Sequence, residues 1–369
     1  MKILSVFGTR PEAVKMAPVV KRLAETAGIQ SRVCVTAQHR QMLDQVLDLF
    51  AIQPDYDLDL MRDDQSLAEL SAAIFTHLDP VLADFQPDWI LAQGDTTTVA
   101  ITSLLAYYRR IRFGHVEAGL RTGDKWQPFP EEINRRVAGV VADLHFAPTE
   151  WARQNLLHEG VADAIIKVTG NPVIDALQVV SKQPEPKLVR DLLKKLGIGK
   201  QALILVTAHR RENFGQPLVD ICEALKQLAA RGDVEIVYPV HLNPNVQEPV
   251  HRLLDGVPHI TLLPPLDYLP LVHLMMRSRL ILTDSGGIQE EAPAFGVPAL
   301  VLRQVTERPE GVAAGVLKLV GTHTSRIVYE SNFLLDDPSA HAAMARASNP
   351  YGDGRAAGRI VDALLKLSH

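Results

Sequence analysis

Cysteine is scarce in this chain: Cys34 and Cys222 are the only two, both in apolar periodic segments where they read as small core residues. That excludes a disulfide framework, and no ligand spacing points to a metal. No apolar run approaches the roughly 20 residues of a membrane helix. No polybasic run is present, and a formal net charge of -5 leaves no footprint for nucleic acid or an anionic membrane surface. A Gly-x-Gly-x-x-Gly fingerprint with a downstream acid is missing, as is a Walker motif, so neither a nicotinamide cofactor nor a kinase-type phosphate loop is expected. Low-complexity tracts and short repeats are also missing. Met1 leads straight into a strand, so no signal peptide is expected and the chain reads as cytoplasmic. The expected ligand set therefore contains no cofactor, metal, nucleic acid or membrane.

What is present is a soluble-type composition, 47% hydrophobic and 22% charged over 369 residues, too long for one ordinary core. Strand and helix patterns alternate almost throughout, which predicts parallel sheets wound on both faces. The first series of strands reads as Lys2–Phe7, Arg32–Thr36, Trp89–Ala92, Arg112–His115, Leu144–Ala147 and Lys167–Thr169. A polar, proline-bearing segment, Val180–Pro186, marks a weak boundary, and a second strand series starts at Ala202. The fold class expected is α/β, with two Rossmann-like doubly wound domains and a ligand cleft between them. Residues 1–170 with 355–369 would form the first domain and 171–354 the second.

In open parallel sheets ligands bind beyond the carboxyl ends of the strands. Those ends are rich in ionisable residues here: Gly8-Thr9-Arg10-Pro11-Glu12 with Lys15, Gln93-Gly94-Asp95-Thr96, His115-Val116-Glu117, His209-Arg210-Arg211-Glu212-Asn213 and His241-Leu242-Asn243-Pro244. Single items have plain explanations. Asp95 before a threonine run also reads as a helix cap, and Glu131 and Glu132 after Pro130 also suit a helix dipole. Caps do not, however, require His, Glu and Arg beside glycine at one strand end after another. The strand Leu280–Thr283 runs into Asp284-Ser285-Gly286-Gly287 and a helical pattern continuing to Phe295. Adjacent glycines let backbone amides approach a ligand, and a helix start behind them suits phosphate. Arg10, Lys15, Arg308 and the amides of Ser285–Gly287 suit a diphosphate. Asp95, Glu117, Glu131 and His209 suit proton transfer on a hydroxyl-rich group. A nucleoside-diphosphate sugar satisfies both sets.

Over essentially its full length the chain resembles the non-hydrolysing UDP-N-acetylglucosamine 2-epimerases. The matching stretches include Phe7–Glu12 with Lys15, Val35–Gln41, Gln93–Thr96, His115–Arg121, Phe129–Arg135, Gly170–Pro172, His209–Asn213, His241–Pro244, Thr283–Glu291 and Thr306–Glu310. The resemblance implies a glycosyltransferase-B-type fold whose last helix crosses back to the first domain, and a homodimer. It implies reversible C2 epimerisation of UDP-N-acetylglucosamine to UDP-N-acetylmannosamine by elimination and re-addition of UDP, supplying N-acetylmannosamine for surface polysaccharide. Asp95, Glu117, Glu131 and His209 are then the expected catalytic residues. Arg10, Lys15, Leu271, Ser285, Gly286, Gly287, Glu291 and Arg308 are the expected UDP-sugar ligands. Leu271 departs from the pattern, since the family often places an aromatic residue there. Gln38, Gln41, Arg210 and His241 match residues with which some members hold an activating second substrate, together with Glu131. Asp64 stands where those members carry arginine, which counts against activation. Rival readings are an epimerase for a modified UDP-hexosamine, a hydrolysing epimerase, a glycosyltransferase of the same architecture and a non-catalytic UDP-sugar sensor.

Overall fold

The structure is a computed structural model describing residues 1–37, 40–60, 62 and 64–367; the Gln41 side chain also lies outside the description. It divides into two compact units, Met1–Gln178 with Tyr351–His369, and Val179–Pro350. The first unit extends past the expected boundary at residue 170 because the helix Pro172–Val180 packs with the returning chain. Its Asp175 carboxylate accepts hydrogen bonds from the backbone amides of Ala356 and Ala357, at the start of helix Ala356–Leu365.

The first unit holds a parallel sheet of strands β1 (Lys2–Phe7), β2 (Gln30–Val35), β3 (Tyr56–Asp57), β4 (Trp89–Gln93), β5 (Arg112–Val116), β6 (Leu144–Ala147) and β7 (Ile166–Val168). Their order across the sheet is β3-β2-β1-β4-β5-β6-β7. The chain thus winds outward both ways from the β1–β4 pair, and the polar loops after these two strands meet at that reversal. Near-continuous aliphatic strands such as Ile3–Val6 and Ile90–Ala92 are buried on both faces, as sheets covered by helices require. Helix Leu67–Phe85 begins with a capping box at Ser66 and Glu69 and buries Ile74, Leu78, Val81, Leu82 and Phe85 against this sheet. The last helix, Ala356–Leu365, packs on helix Arg10–Ala24.

The second unit repeats the plan with β8 (Ala202–Thr207), β9 (Val234–Pro239), β10 (Ile260–Leu263), β11 (Leu280–Thr283), β12 (Ala299–Val301) and β13 (Leu317–Leu319). The order is β10-β9-β8-β11-β12-β13, so its reversal lies between β8 and β11. Helix Gln216–Ala229 buries Leu218, Ile221, Cys222, Leu225 and Leu228 in the core between sheet and helices. The helix after the double glycine is α-helical only over Gly286–Glu291 and tightens to a 3-10 turn over Ala292–Phe295, where Pro293 cannot continue the amide ladder. Among the described residues no helix is long and apolar enough to cross a membrane.

Candidate active site

In the first unit the polar loops after β1, β4 and β5 are tied together by carboxylates. Glu12 accepts hydrogen bonds from the Gly8 amide (3.0 Å), the Thr9 amide (2.7 Å) and the Thr96 hydroxyl (2.7 Å). It therefore joins the loop after β1 to the loop after β4. Burial raises the Glu12 carboxyl above its ordinary range despite these three donors.

Asp95 and Glu117 follow adjacent strands, since Gln93 of β4 pairs with Val116 of β5. Asp95 forms an ion pair with Arg135, and its carbonyl accepts from the Asn134 side chain at 2.9 Å. Glu117 is buried with left-handed backbone (φ 63°). Its carboxylate accepts from Lys15 and Gln93, and from the Asn171 side-chain Nδ2 at 2.9 Å. Lys15, expected on a phosphate, is itself buried and forms an ion pair with Glu117. Arg10 is half-buried at the first position of its helix.

Glu131 opens helix Glu131–Val141 and lines a cavity of about 340 Å³ with Thr9, Arg62, Thr96, Pro130 and Asn134. The neighbouring Glu132 has another task. Its buried carboxylate accepts from the amides of Thr122 and Gly123 and faces Arg135. Asp64 is exposed with left-handed backbone, and the charged residue lining that cavity from its loop is Arg62.

His115 sits under the Asp95 turn, its Nε2 2.7 Å from the Gly94 carbonyl. Full burial holds its pKa down to about 3, and burial with the nearby Arg121 charge holds His145 down to about 4. A neutral ring donates from Nε2 to that carbonyl, fixing the turn that carries Asp95.

In the second unit the loops after β8 and β11 are bound by Asp284, a residue without an expected role. Its Oδ2 accepts from the His209 amide (2.8 Å), the Arg210 amide (2.8 Å) and the Asn213 side chain (2.9 Å). Its Oδ1 lies 3.6 Å from His209 Nδ1, and the His209 ring stacks on His241 with centroids 5.3 Å apart. One buried aspartate thus sets both the backbone and the ring of His209. The sequence signal was an acid placed directly after a buried strand, where a ligand turn begins.

Gly286 is required by packing. A Cβ there would lie 2.8 Å from an Arg308 guanidinium nitrogen, whereas one at Gly287 would meet nothing closer than 3.6 Å. Arg308 is buried against the turn and held by Glu290 at 2.7 Å and by Glu307. Burial alone would raise the Glu307 carboxyl, but Arg308 and Arg303 override it and hold it down to about 2. Glu291 is buried one turn into the helix, Ser285 is half-buried at its cap, and Leu271 is half-buried on helix Tyr268–Arg277. Of the candidate activator residues, Gln38 and the Gln41 side chain lie outside the described residues. Arg210 and His241 flank His209, one by sequence and one by stacking. Among the described residues no cluster of His, Cys, Asp and Glu could hold a metal ion.

Two doubly wound parallel sheets with polar strand-end loops are the architecture of the glycosyltransferase-B type. The family model for UDP-N-acetylglucosamine 2-epimerase matches residues 21–365. A UDP-N-acetylglucosamine 2-epimerase of Escherichia coli K12 is 56% identical over 369 residues, covering 99% of this chain and 98% of its own length. The crystal structure of the Neisseria meningitidis UDP-GlcNAc 2-epimerase bound to UDP-GlcNAc superposes with a TM-score of 0.94 at 49% identity, over 99% of this chain and 100% of that one. The Methanocaldococcus jannaschii UDP-GlcNAc 2-epimerase in complex with UDP-GlcNAc and UDP matches at a TM-score of 0.84 and 31% identity, over 99% and 100% of the two chains. The chain belongs to the UDP-N-acetylglucosamine 2-epimerase family.

The depressed His115 pKa predicts a pH dependence of stability. The unfolded imidazole titrates near 6.5 and the folded one near 3, so the unfolded state takes up the proton first. Its contribution is complete above about pH 6.5 and is lost as pH falls towards about 3, by up to about 1.4 kcal/mol per pH unit. Urea unfolding of His115→Gln should show a shallower loss of stability between pH 7 and 5 than the parent; parallel curves would contradict a neutral buried imidazole.

Proposed function

We propose that the chain interconverts UDP-N-acetylglucosamine and UDP-N-acetylmannosamine by eliminating UDP and adding it back. The observation that carries this reading is the pair Asp95 and Glu117 at the carboxyl ends of neighbouring strands of the first unit, each ion-paired with a cation of that same unit. The C2 proton of the sugar is not acidic, because no carbonyl adjoins it. Direct deprotonation would leave an unstabilised carbanion. Breaking the C1–O bond as the C2 proton is removed instead gives 2-acetamidoglucal and UDP. Returning UDP to C1 with protonation of C2 from the other face yields the epimer, with no change in oxidation state.

The chemistry assigns the residues. Asp95, Glu117 and Glu131 move the C2 proton and its replacement. Lys15 acts on Glu117, to which it is ion-paired, and holds that carboxylate in place for the proton transfer. Arg10 and Arg308, with the amides of Ser285, Gly286 and Gly287, hold the diphosphate and stabilise the charge it gains as it leaves. Protonated His209, steered by Asp284, supports the same leaving group. Glu291 takes the ribose hydroxyls, and Leu271 packs on uracil with less stacking than an aromatic ring gives. Gln38, Gln41, Arg210 and His241 with Glu131 are the residues that would hold an activating second UDP-sugar, and Asp64, an acid where a diphosphate would need a cation, counts against that activation.

We further infer a homodimer that covers the exposed apolar residues of two packed helices. Tyr107 and Tyr108 on helix Thr97–Arg109 are 68% and 65% exposed, and Val140 on helix Glu131–Val141 is 89% exposed. Large apolar side chains exposed on two packed helices suit an association surface. Light scattering should give twice the chain mass for the parent and a monomer for Val140→Asp; a monomeric parent would remove the inference.

Incubation with UDP-N-acetylglucosamine in D2O, followed by NMR, tests the reaction. UDP-N-acetylmannosamine deuterated at C2 is expected, with little free sugar. Release of UDP and free N-acetylmannosamine, or unchanged substrate, would contradict it. Asp95→Asn should lower exchange by about 100-fold or more while UDP affinity stays within about threefold, which is below 1 kcal/mol.

A further inference from the structure

The segment that returns to the first unit is interlocked with the loop after β7. The Asn171 amide donates to the Tyr351 carbonyl at 2.7 Å, Arg359 donates to the Thr169 carbonyl at 3.0 Å, and the Asp175 carboxylate receives the amides of Ala356 and Ala357 at 3.1 and 2.9 Å. The fit leaves no room for side chains. Gly352 has φ 133°, and a Cβ on it would lie 3.3 Å from the Gly170 Cα and 3.4 Å from the Asn171 nitrogen. Tyr351 is buried beside this contact, at 1% exposure.

Asn171, also 1% exposed, carries this lock to the reaction centre. Its Oδ1 accepts from the Val173 amide at 3.1 Å, which identifies the other end of the side chain as the NH2 group. That group donates to Glu117 Oε1 at 2.9 Å. Lys15 donates to the same oxygen and Gln93 to Oε2. The lysine ammonium is a point charge on a flexible stem, and its bond does not set the plane of the carboxylate. The two short amide side chains, one on each oxygen, do. A core residue with only a packing task would be apolar, since burying an amide without a partner costs on the order of 1–3 kcal/mol.

We propose that Asn171 is a positioning residue for the proton chemistry: it fixes the Glu117 carboxylate, and the returning Tyr351–Gly352 segment fixes Asn171. This rests on the epimerase reading given above. It gives the last 19 residues of the chain a task in the reaction as well as in the fold. The sign of the effect follows from placement: loosening Asn171 lets the carboxylate turn away from the reacting carbon, which slows the chemical step without touching the grip on UDP.

Three full-length variants test it by epimer formation, UDP titration and pH profile. Asn171→Ala should lower kcat at least tenfold and leave the UDP dissociation constant within threefold. Gly352→Ala, which removes no group near Glu117, should lower kcat in the same direction by displacing the Asn171 backbone. Asn171→Asp replaces a donor with a second carboxylate facing Glu117 across from the Lys15 charge, so the acid limb of its kcat profile should move to higher pH. The proposal is overturned if Asn171→Ala and Asn171→Asp keep parental kcat. It is equally overturned if all three lose kcat only in step with UDP affinity and melting temperature while the acid limb of Asn171→Asp stays in place, the mark of a purely structural residue. A parent chain that makes no epimer would instead refute the underlying reading, so the two failures are distinguishable.

Discussion

The ion pair of Lys15 with Glu117 shows the constraint under which both sheets are built. Loops at the carboxyl ends of covered parallel strands lie at the margin of the core, so charges placed there lose most of their water. Desolvation costs several kcal/mol per ion, and removing one partner of a buried pair typically costs about 3–5 kcal/mol. Glu117 is met by Lys15, Asp95 by Arg135, and Arg308 by Glu290 and Glu307. Each of these charges has an opposite charge beside it in its own unit. That pairing fixes their places as firmly as packing fixes the aliphatic core.

One plan thereby yields two kinds of site. At the β1–β4 reversal the loops present carboxylates with cations behind them. At the β8–β11 reversal they present a glycine turn, with an arginine that two carboxylates press against Gly286. In the proposed reaction the carboxylates serve proton transfer on a neutral sugar, and the amides with a guanidinium serve an anionic leaving group. In each unit a single buried acid ties two loops together: Glu12 in the first and Asp284 in the second.

Local pattern made most of the fold legible. Lys2–Phe7, Leu144–Ala147 and Leu280–Thr283 were readable to the residue, because a short aliphatic run bounded by polar turn residues suits a buried strand. Strand β3, Tyr56–Asp57, is two residues long and has no periodicity to read. The division at 178 rather than 170 was hidden because it depends on Asp175 binding amides 181 and 182 residues further along. The site shows the same limit. Asp95, Glu117 and Arg308 stand out as charged residues beside glycine or at strand ends. The partners that hold them do not, because Gln93, Asn171 and Glu290 meet them only through folding. Lys15 illustrates both: its spacing after Arg10 pointed to an anion, and the nearest one is Glu117, 102 residues away.

Calorimetric titration of UDP into Glu117→Gln and Arg308→Gln proteins, paired with deuterium incorporation at C2, tests the division of tasks between the two units most directly. The Glu117 variant should bind UDP within about threefold of the parent and incorporate almost no deuterium, while the Arg308 variant should lose at least about tenfold in UDP affinity, or 1.4 kcal/mol. Equal loss of UDP affinity in both variants, or parental exchange with Gln at position 117, would contradict it.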